Sequence, residues 1–151
     1  MDDPNSPQSL ALEWVLQDSL SLSQDDVNAK VLERYALAVL YHSTDGPHWV
    51  EDIHFLSEER EVCNWNNGLI RRNDSDSTDL RGVYCQNGVT VDFVQLTKSG
   101  LNGTLPWELG LLSDLRFLNV FNNSLMGTLP REIYGLLDLT LLNVFMNFLT
   151  G

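Results

Sequence analysis

The chain has 151 residues, 43% hydrophobic and 20% charged, the balance of one globular domain or of one domain with an appended region. Its net charge of −12 is uneven: residues 1–88 carry 16 acidic and 6 basic side chains, residues 89–151 only 5 and 3. No basic stripe exists to neutralise phosphate, which excludes nucleic acid as a partner, and no apolar stretch approaches the ~20 residues that span a bilayer.

The start, Met1-Asp2-Asp3-Pro4, has neither the basic nor the apolar region of a signal peptide. Ser6-Pro7 reads as a helix start, with Ser as N-cap and Pro in the first turn. Leu10, Ala11, Trp14 and Val15 then form one apolar face, to about Gln17. A second helix is predicted from Asp25-Asp26, whose carboxylates suit an N-terminus. Val27, Val31, Tyr35 and Leu40 lie along it, with Ala36 and Ala38 keeping it slim. Thr44-Asp45-Gly46-Pro47 ends it with turn chemistry. Trp49 and Trp65 follow in a loop-rich stretch, and Arg71 to Asp79 is polar enough to be a surface loop.

From Val91 onward the sequence repeats every 24 residues. Val91, Val94, Leu96, Leu101, Gly103, Leu105 and Pro106 are matched by Leu115, Leu118, Val120, Leu125, Gly127, Leu129 and Pro130. Leu139, Leu142, Val144, Leu149 and Gly151 begin a third copy. A fixed period of this size is the signature of a solenoid, whose units bury their apolar residues only against neighbours. The L-x-L pair alternates with period two and so belongs to a short strand with those side chains inward. Asn123 and Asn147 fall where the chain leaves the strand, where an amide bonds backbone groups of adjacent turns; Ser99 holds that slot in the first copy. Gly103, Gly127 and Gly151 suit a tight turn, and Pro106 and Pro130 start the convex segment. Leu109, Leu112, Ile133 and Leu136 pack its far side.

The pattern L-x-x-L-x-L-x-x-N-x-L-x-G-x-L-P resembles the plant-type leucine-rich repeat. Cys63-Asn64-Trp65 and Gly82-Val83-Tyr84-Cys85 are similar to the two halves of the C-x-W-x-G-V-x-C element in the N-terminal cap of plant leucine-rich-repeat ectodomains, here separated by residues 66–81. Tyr35 to Tyr41, with Gly46-Pro47-His48-Trp49, resembles the lead-in of leucine-rich-repeat proteins of diatoms and other stramenopiles. The resemblance implies an α/β fold: a right-handed solenoid with a short parallel sheet over 89–151, behind a helical cap over 1–88. It also implies a Cys63–Cys85 disulfide, which would close a 23-residue loop and contribute about 3 kcal/mol, the alternative being two free buried thiols.

Chemistry-bearing residues are sparse. His42, His48 and His54 recur every six residues but match no metal-ligand spacing, so no metal and no cofactor are expected. Glu58, Glu59 and Glu61 read as a solvated face, and no catalytic motif occurs. Asn73, Asn102 and Asn122 head glycosylation sequons. Three is close to the number that chance gives for 13 Asn and 20 Ser plus Thr, so sequons alone do not establish secretion. The outward strand positions say more. Phe93, Gln95, Thr97 and Lys98 are followed 24 residues later by Phe117, Asn119, Phe121 and Asn122, then by Leu141, Asn143, Phe145 and Met146. Most leucine-rich repeats are polar where Phe121 and Phe145 stand, and an exposed apolar row marks a contact site.

The reading is therefore a recognition module, not an enzyme. A protein, peptide or glycan would bind on the concave or lateral face of a receptor-like or secreted, extracellular protein, reaching the membrane only through a segment outside this chain. The alternatives are a structural adhesion or cell-wall spacer, and a kinase joined through a segment not present here. Further repeats are expected after Gly151 and a signal or membrane segment before Met1, with marginal stability for the 151 residues alone.

Overall fold

A computed structural model of the chain describes residues 3–17, 27–49, 53–58, 61–68 and 80–150. Helix α1 spans Pro7–Gln17, and the Ser9 amide donates to Ser6 Oγ at 3.2 Å, so Ser6 caps it as its position suggested. Helix α2 spans Val27–Ser43. Its packing differs from the expected single stripe, because Ala36 through Leu40 are all buried. Ala38 and Val39 meet Ala11 of α1, while Ala36, Leu37 and Leu40 join the core of the repeats. Sandwiched between two partners, α2 has no solvent face along that stretch. Asp25 and Asp26, the Val27 side chain, Glu59 and the loop at 71–79 lie outside the described residues.

The tryptophans of the loop-rich stretch are not surface residues. Trp65 is fully buried, 5.6 Å from Trp14 and 5.3 Å from Phe55, and Phe55 in turn lies 4.9 Å from Trp49. The Arg34 guanidinium sits 4.9 and 5.0 Å from the Trp14 and Trp65 rings and donates to the Ser57 carbonyl at 3.2 Å. Cys63 and Cys85 are bonded, with Cα atoms 5.1 Å apart.

Two sheets follow. The first has the order β1-β2-β4-β6, from Gly82–Tyr84, Phe93–Gln95, Phe117–Asn119 and Leu141–Asn143. Its repeat strands are parallel and in register: Val94, Leu118 and Leu142 are paired in sequence. The expectation of a purely parallel sheet is corrected at one edge, where β1 runs antiparallel to β2. β1 belongs to no repeat, so the coil geometry does not dictate its direction. The second sheet, β3-β5-β7, comprises Asn102–Thr104, Ser124–Gly127 and Phe148–Leu149. The convex returns, Trp107–Leu111 and Arg131–Gly135, are 3₁₀ turns, so the helices of the fold lie in its N-terminal part among the described residues.

Each coil is filled by the residues its period singled out. Val91, Val94, Leu96, Leu101, Leu109 and Leu112 are fully buried, as are Leu115, Leu118, Val120 and Leu125. Leu139, Leu142, Val144 and Leu149 of the third coil are only half-buried, because no further described coil covers them. Asn123 ties adjacent coils together. Its Oδ1 accepts from the amides of Ser99 and Leu101, and its Nδ2 donates to the carbonyls of Leu96 and Val120. Asn147 repeats this one coil on, with Leu125 and with Val120 and Val144. Ser99 is buried in that slot, and among the described residues its hydroxyl reaches only the Thr97 carbonyl of its own turn.

The C-terminus of α2 docks on the first coil. The Thr44 carbonyl accepts from the Asn102 amide and from Trp49 Nε1. Gly103, at φ 134°, is required twice over: its backbone angle disfavours other residues, and a Cβ there would strike the Ser43 carbonyl.

Candidate binding face

On the first sheet, residues that alternate with the inward-facing Val94, Leu118 and Leu142 form rows across the strands. One row is Tyr84, Phe93, Phe117 and Leu141. The Tyr84 and Phe93 rings are 5.7 Å apart, and Phe93 and Phe117 are 5.3 Å apart. The next row is amide: Gln95, Asn119 and Asn143. Beyond the strands lies a third, Thr97, Phe121 and Phe145, in which the two phenylalanine rings stack at 6.4 Å with 15° between their planes. Phe121 is half-buried and Phe145 is 72% exposed.

The amides are fixed by the turns that follow them. Asn119 Oδ1 accepts from the Phe121 amide at 3.0 Å, and Asn143 Oδ1 from the Phe145 amide at 3.2 Å. A backbone N–H can be met only by the oxygen, so each Nδ2 is turned away from that bond. Lys98, Asn122 and Met146 then adopt left-handed backbone, with φ 52°, 55° and 55°. Asn122 is half-buried and Met146 is 54% exposed at the rim of this face. The structure thus brings Phe117, Asn119, Phe121, Asn122, Leu141, Asn143, Phe145 and Met146 onto one surface.

Gln95, already in the outward series read from the sequence, and Tyr84 complete that surface; Tyr84, on the antiparallel strand and outside the 24-residue series, had no such signal. The Tyr84 hydroxyl donates to Asn67 Oδ1 and the Arg81 carbonyl, and burial raises its pKa above the usual phenol value. A polar depression of about 380 Å³ also lies beside the sheet, lined by Asp92, Asp114, Arg116 and Asp138 among others. The 24-residue steps from Thr90 to Asp114 to Asp138 and from Asp92 to Arg116 are its trace in the sequence.

The remaining candidates are dispersed. Asn102 is exposed on β3, away from Asn122, while Asn73 lies outside the described residues. His48 Nδ1 pairs with Asp45 Oδ1 at 2.7 Å, and burial lowers the His42 pKa. Among the described residues no group of three His, Cys, Asp or Glu could hold a metal ion, and no helix is long and apolar enough to cross a membrane.

No protein-family model matches the chain, and no curated protein matches it. Solved structures do. A pollen receptor kinase 3 is 27% identical over 80% of this chain and 48% of its own, with a TM-score of 0.53. The leucine-rich-repeat ectodomain of the receptor kinase SOBIR1 from Arabidopsis thaliana is 22% identical over 78% and 55%, at 0.49. The plant peptide hormone receptor RGFR1 in complex with RGF2 is 40% identical over only 38% of this chain and 9% of its own, at 0.38. The chain therefore spans about half the length, or less, of these structures. The likeness at a TM-score above 0.5 is to the pollen receptor kinase 3 structure.

Proposed function

We propose that the chain is a recognition module of an extracellular receptor-like protein, binding a protein, peptide or glycan on the outward face of the first sheet. The observation that carries this is the Phe121–Phe145 stack, with Phe145 72% exposed beside a row of amides. A large apolar side chain at such a repeat position adds nothing to the coil interior, and exposed apolar rows mark contact surfaces. The Cys63–Cys85 bond supports an oxidising compartment, and the receptor-kinase neighbour at 27% identity supports a receptor context. In this reading residues 1–88 act as the cap of a solenoid over 89–151, and Asn102 is the sequon best placed to carry a glycan clear of the binding face.

The test is a pair of binding screens on the whole chain, one with a phage-displayed library of random linear peptides and one with an array of cell-wall glycans. Phe145→Ser should abolish binding to whichever class is captured while leaving the melting temperature unchanged. Binding that is indifferent to Phe145→Ser, or no binding in either screen, overturns the reading.

A further inference from the structure

The amide row carries unused hydrogen-bonding capacity. Asn119 and Asn143 spend their oxygens on the Phe121 and Phe145 amides, while neither Nδ2 has a partner among the described residues and neither is a buried atom. Gln95, in register with both, is 7% exposed and its amide has no partner among the described residues. Thr97, in the adjacent row, has a buried hydroxyl oxygen without a partner among the described residues. Buried polar groups are nearly always bonded, so the unsatisfied Thr97 hydroxyl, in the row next to Gln95, calls for an explanation.

We propose that this row reads main chain: the Asn119 and Asn143 NH₂ groups, with the Gln95 amide, hydrogen-bond the peptide groups of an extended, uncharged apolar segment lying across the strands. The inference rests on the binding-face reading above and gives its occupant a chemistry. The free NH₂ groups of Asn119 and Asn143 are donors, which suit carbonyl oxygens, and Gln95 offers both a donor and an acceptor, which suits a whole peptide group. Apolar rows flank the amides, with Phe117 and Leu141 on one side and Phe121 and Phe145 on the other. Successive side chains of an extended peptide point to opposite sides, so a segment lying on the amides places them alternately against the two rows. The three rows hold no charged side chain, so an ionised residue in the segment would lose water without gaining a counter-ion. Three strands spaced ~4.8 Å apart give a row of ~10 Å, enough for about three extended residues.

The experiment pans a phage-displayed library of random linear peptides on the whole chain and measures synthetic copies of the enriched sequences by interferometry. Enriched peptides should share at least three consecutive uncharged apolar residues. Asn119→Asp with Asn143→Asp keeps the oxygens that the Phe121 and Phe145 amides need but removes the outward donors. It should weaken binding about tenfold or more at an unchanged melting temperature. Should the double variant not fold, Asn143→Asp alone, on the least buried coil, reads the same loss in part. Peptides lost on Phe145→Ser but bound equally by the Asp variants would overturn this inference and leave the binding face standing. Enriched peptides with charged cores, no enriched peptide, or capture of glycans alone would overturn it as well.

Discussion

The Glu33 carboxylate accepts a hydrogen bond from the Val91 amide at 2.8 Å, joining α2 to the first residue of the first coil. The carboxyl is 5% exposed, and its second oxygen is buried without a partner among the described residues. Burial is the main cause that raises its pKa from 4.5 to about 7; the Val91 bond and Lys30 pull it down, and Asp114 pushes it further up.

A pH dependence of stability follows. Between about pH 4.5 and 7 the folded chain keeps a proton that the unfolded chain has lost, so stability rises as pH falls through that window. Glu33→Gln keeps an acceptor for Val91 and cannot ionise. In urea unfolding at pH 5 and pH 7.5, the gain on acidification should be smaller in Glu33→Gln by on the order of 1–3 kcal/mol. Equal pH dependence in the two proteins would show that Glu33 is not the titrating group.

The two strand leucines of successive coils should differ in worth. Leu118 is fully buried between the first and third coils, whereas Leu142 is half-buried. Leu118→Ala should cost about 3–5 kcal/mol, the range for cavities that cannot collapse. Leu142→Ala should cost roughly 1–2 kcal/mol, since it removes less buried surface and leaves an opening to solvent rather than a void. Denaturant midpoints of the two variants check this, and equal losses would contradict the burial gradient.

Asn123 tests whether the ladder holds the coils together. Replacing it with Ala leaves the Ser99 and Leu101 amides and the Leu96 carbonyl without that partner, all three bonds being buried, while the Val120 carbonyl keeps its bond from Asn147 Nδ2. Each unsatisfied buried group costs about 1–3 kcal/mol, so the total should exceed 3 kcal/mol. Asn147→Ala should cost less, because its bonds are only partly buried. Hydrogen exchange should show the Leu101 amide losing protection in Asn123→Ala; unchanged protection there would mean that water replaces the ladder.

How much of this was legible in the sequence depends on whether stacking repeats it. Val94, Leu118 and Leu142 were readable because in-register pairing puts each in the same slot, and so were Asn123 and Asn147. The second sheet left no such trace: Asn102, Thr104, Ser124 and Met126 are exposed, so no apolar alternation marks β3 or β5. The aromatic packing of Trp14, Phe55 and Trp65 joins segments far apart in the chain, where no period operates. The binding-face residues were visible as a repeated outward series. The turn geometry that locks Asn119 and Asn143 was not, because it depends on how the backbone turns between each Asn and the phenylalanine two residues on, which residue type alone does not specify.

Glu108 provides the last prediction. It stands in the slot that Glu132 occupies one coil later, and the two segments pack together. Glu132 is partly exposed and pairs with Arg131, Nε to Oε1 at 3.4 Å. Glu108 is fully buried beneath α2, and neither of its carboxyl oxygens has a hydrogen-bond partner among the described residues. A slot that suits solvent in an inner coil has thus been covered by the N-terminal helices, and its side chain retained. Removing an unsatisfied buried polar group for an apolar one of similar volume is neutral or stabilising. Glu108→Met should therefore raise stability by about 1–3 kcal/mol, while Glu132→Met, at a half-exposed site, should change it by no more than about 0.5 kcal/mol. Thermal unfolding of the two variants beside the parent chain decides it. A Glu108→Met protein less stable than its parent would mean that the carboxyl makes a bond essential to the α2 contact.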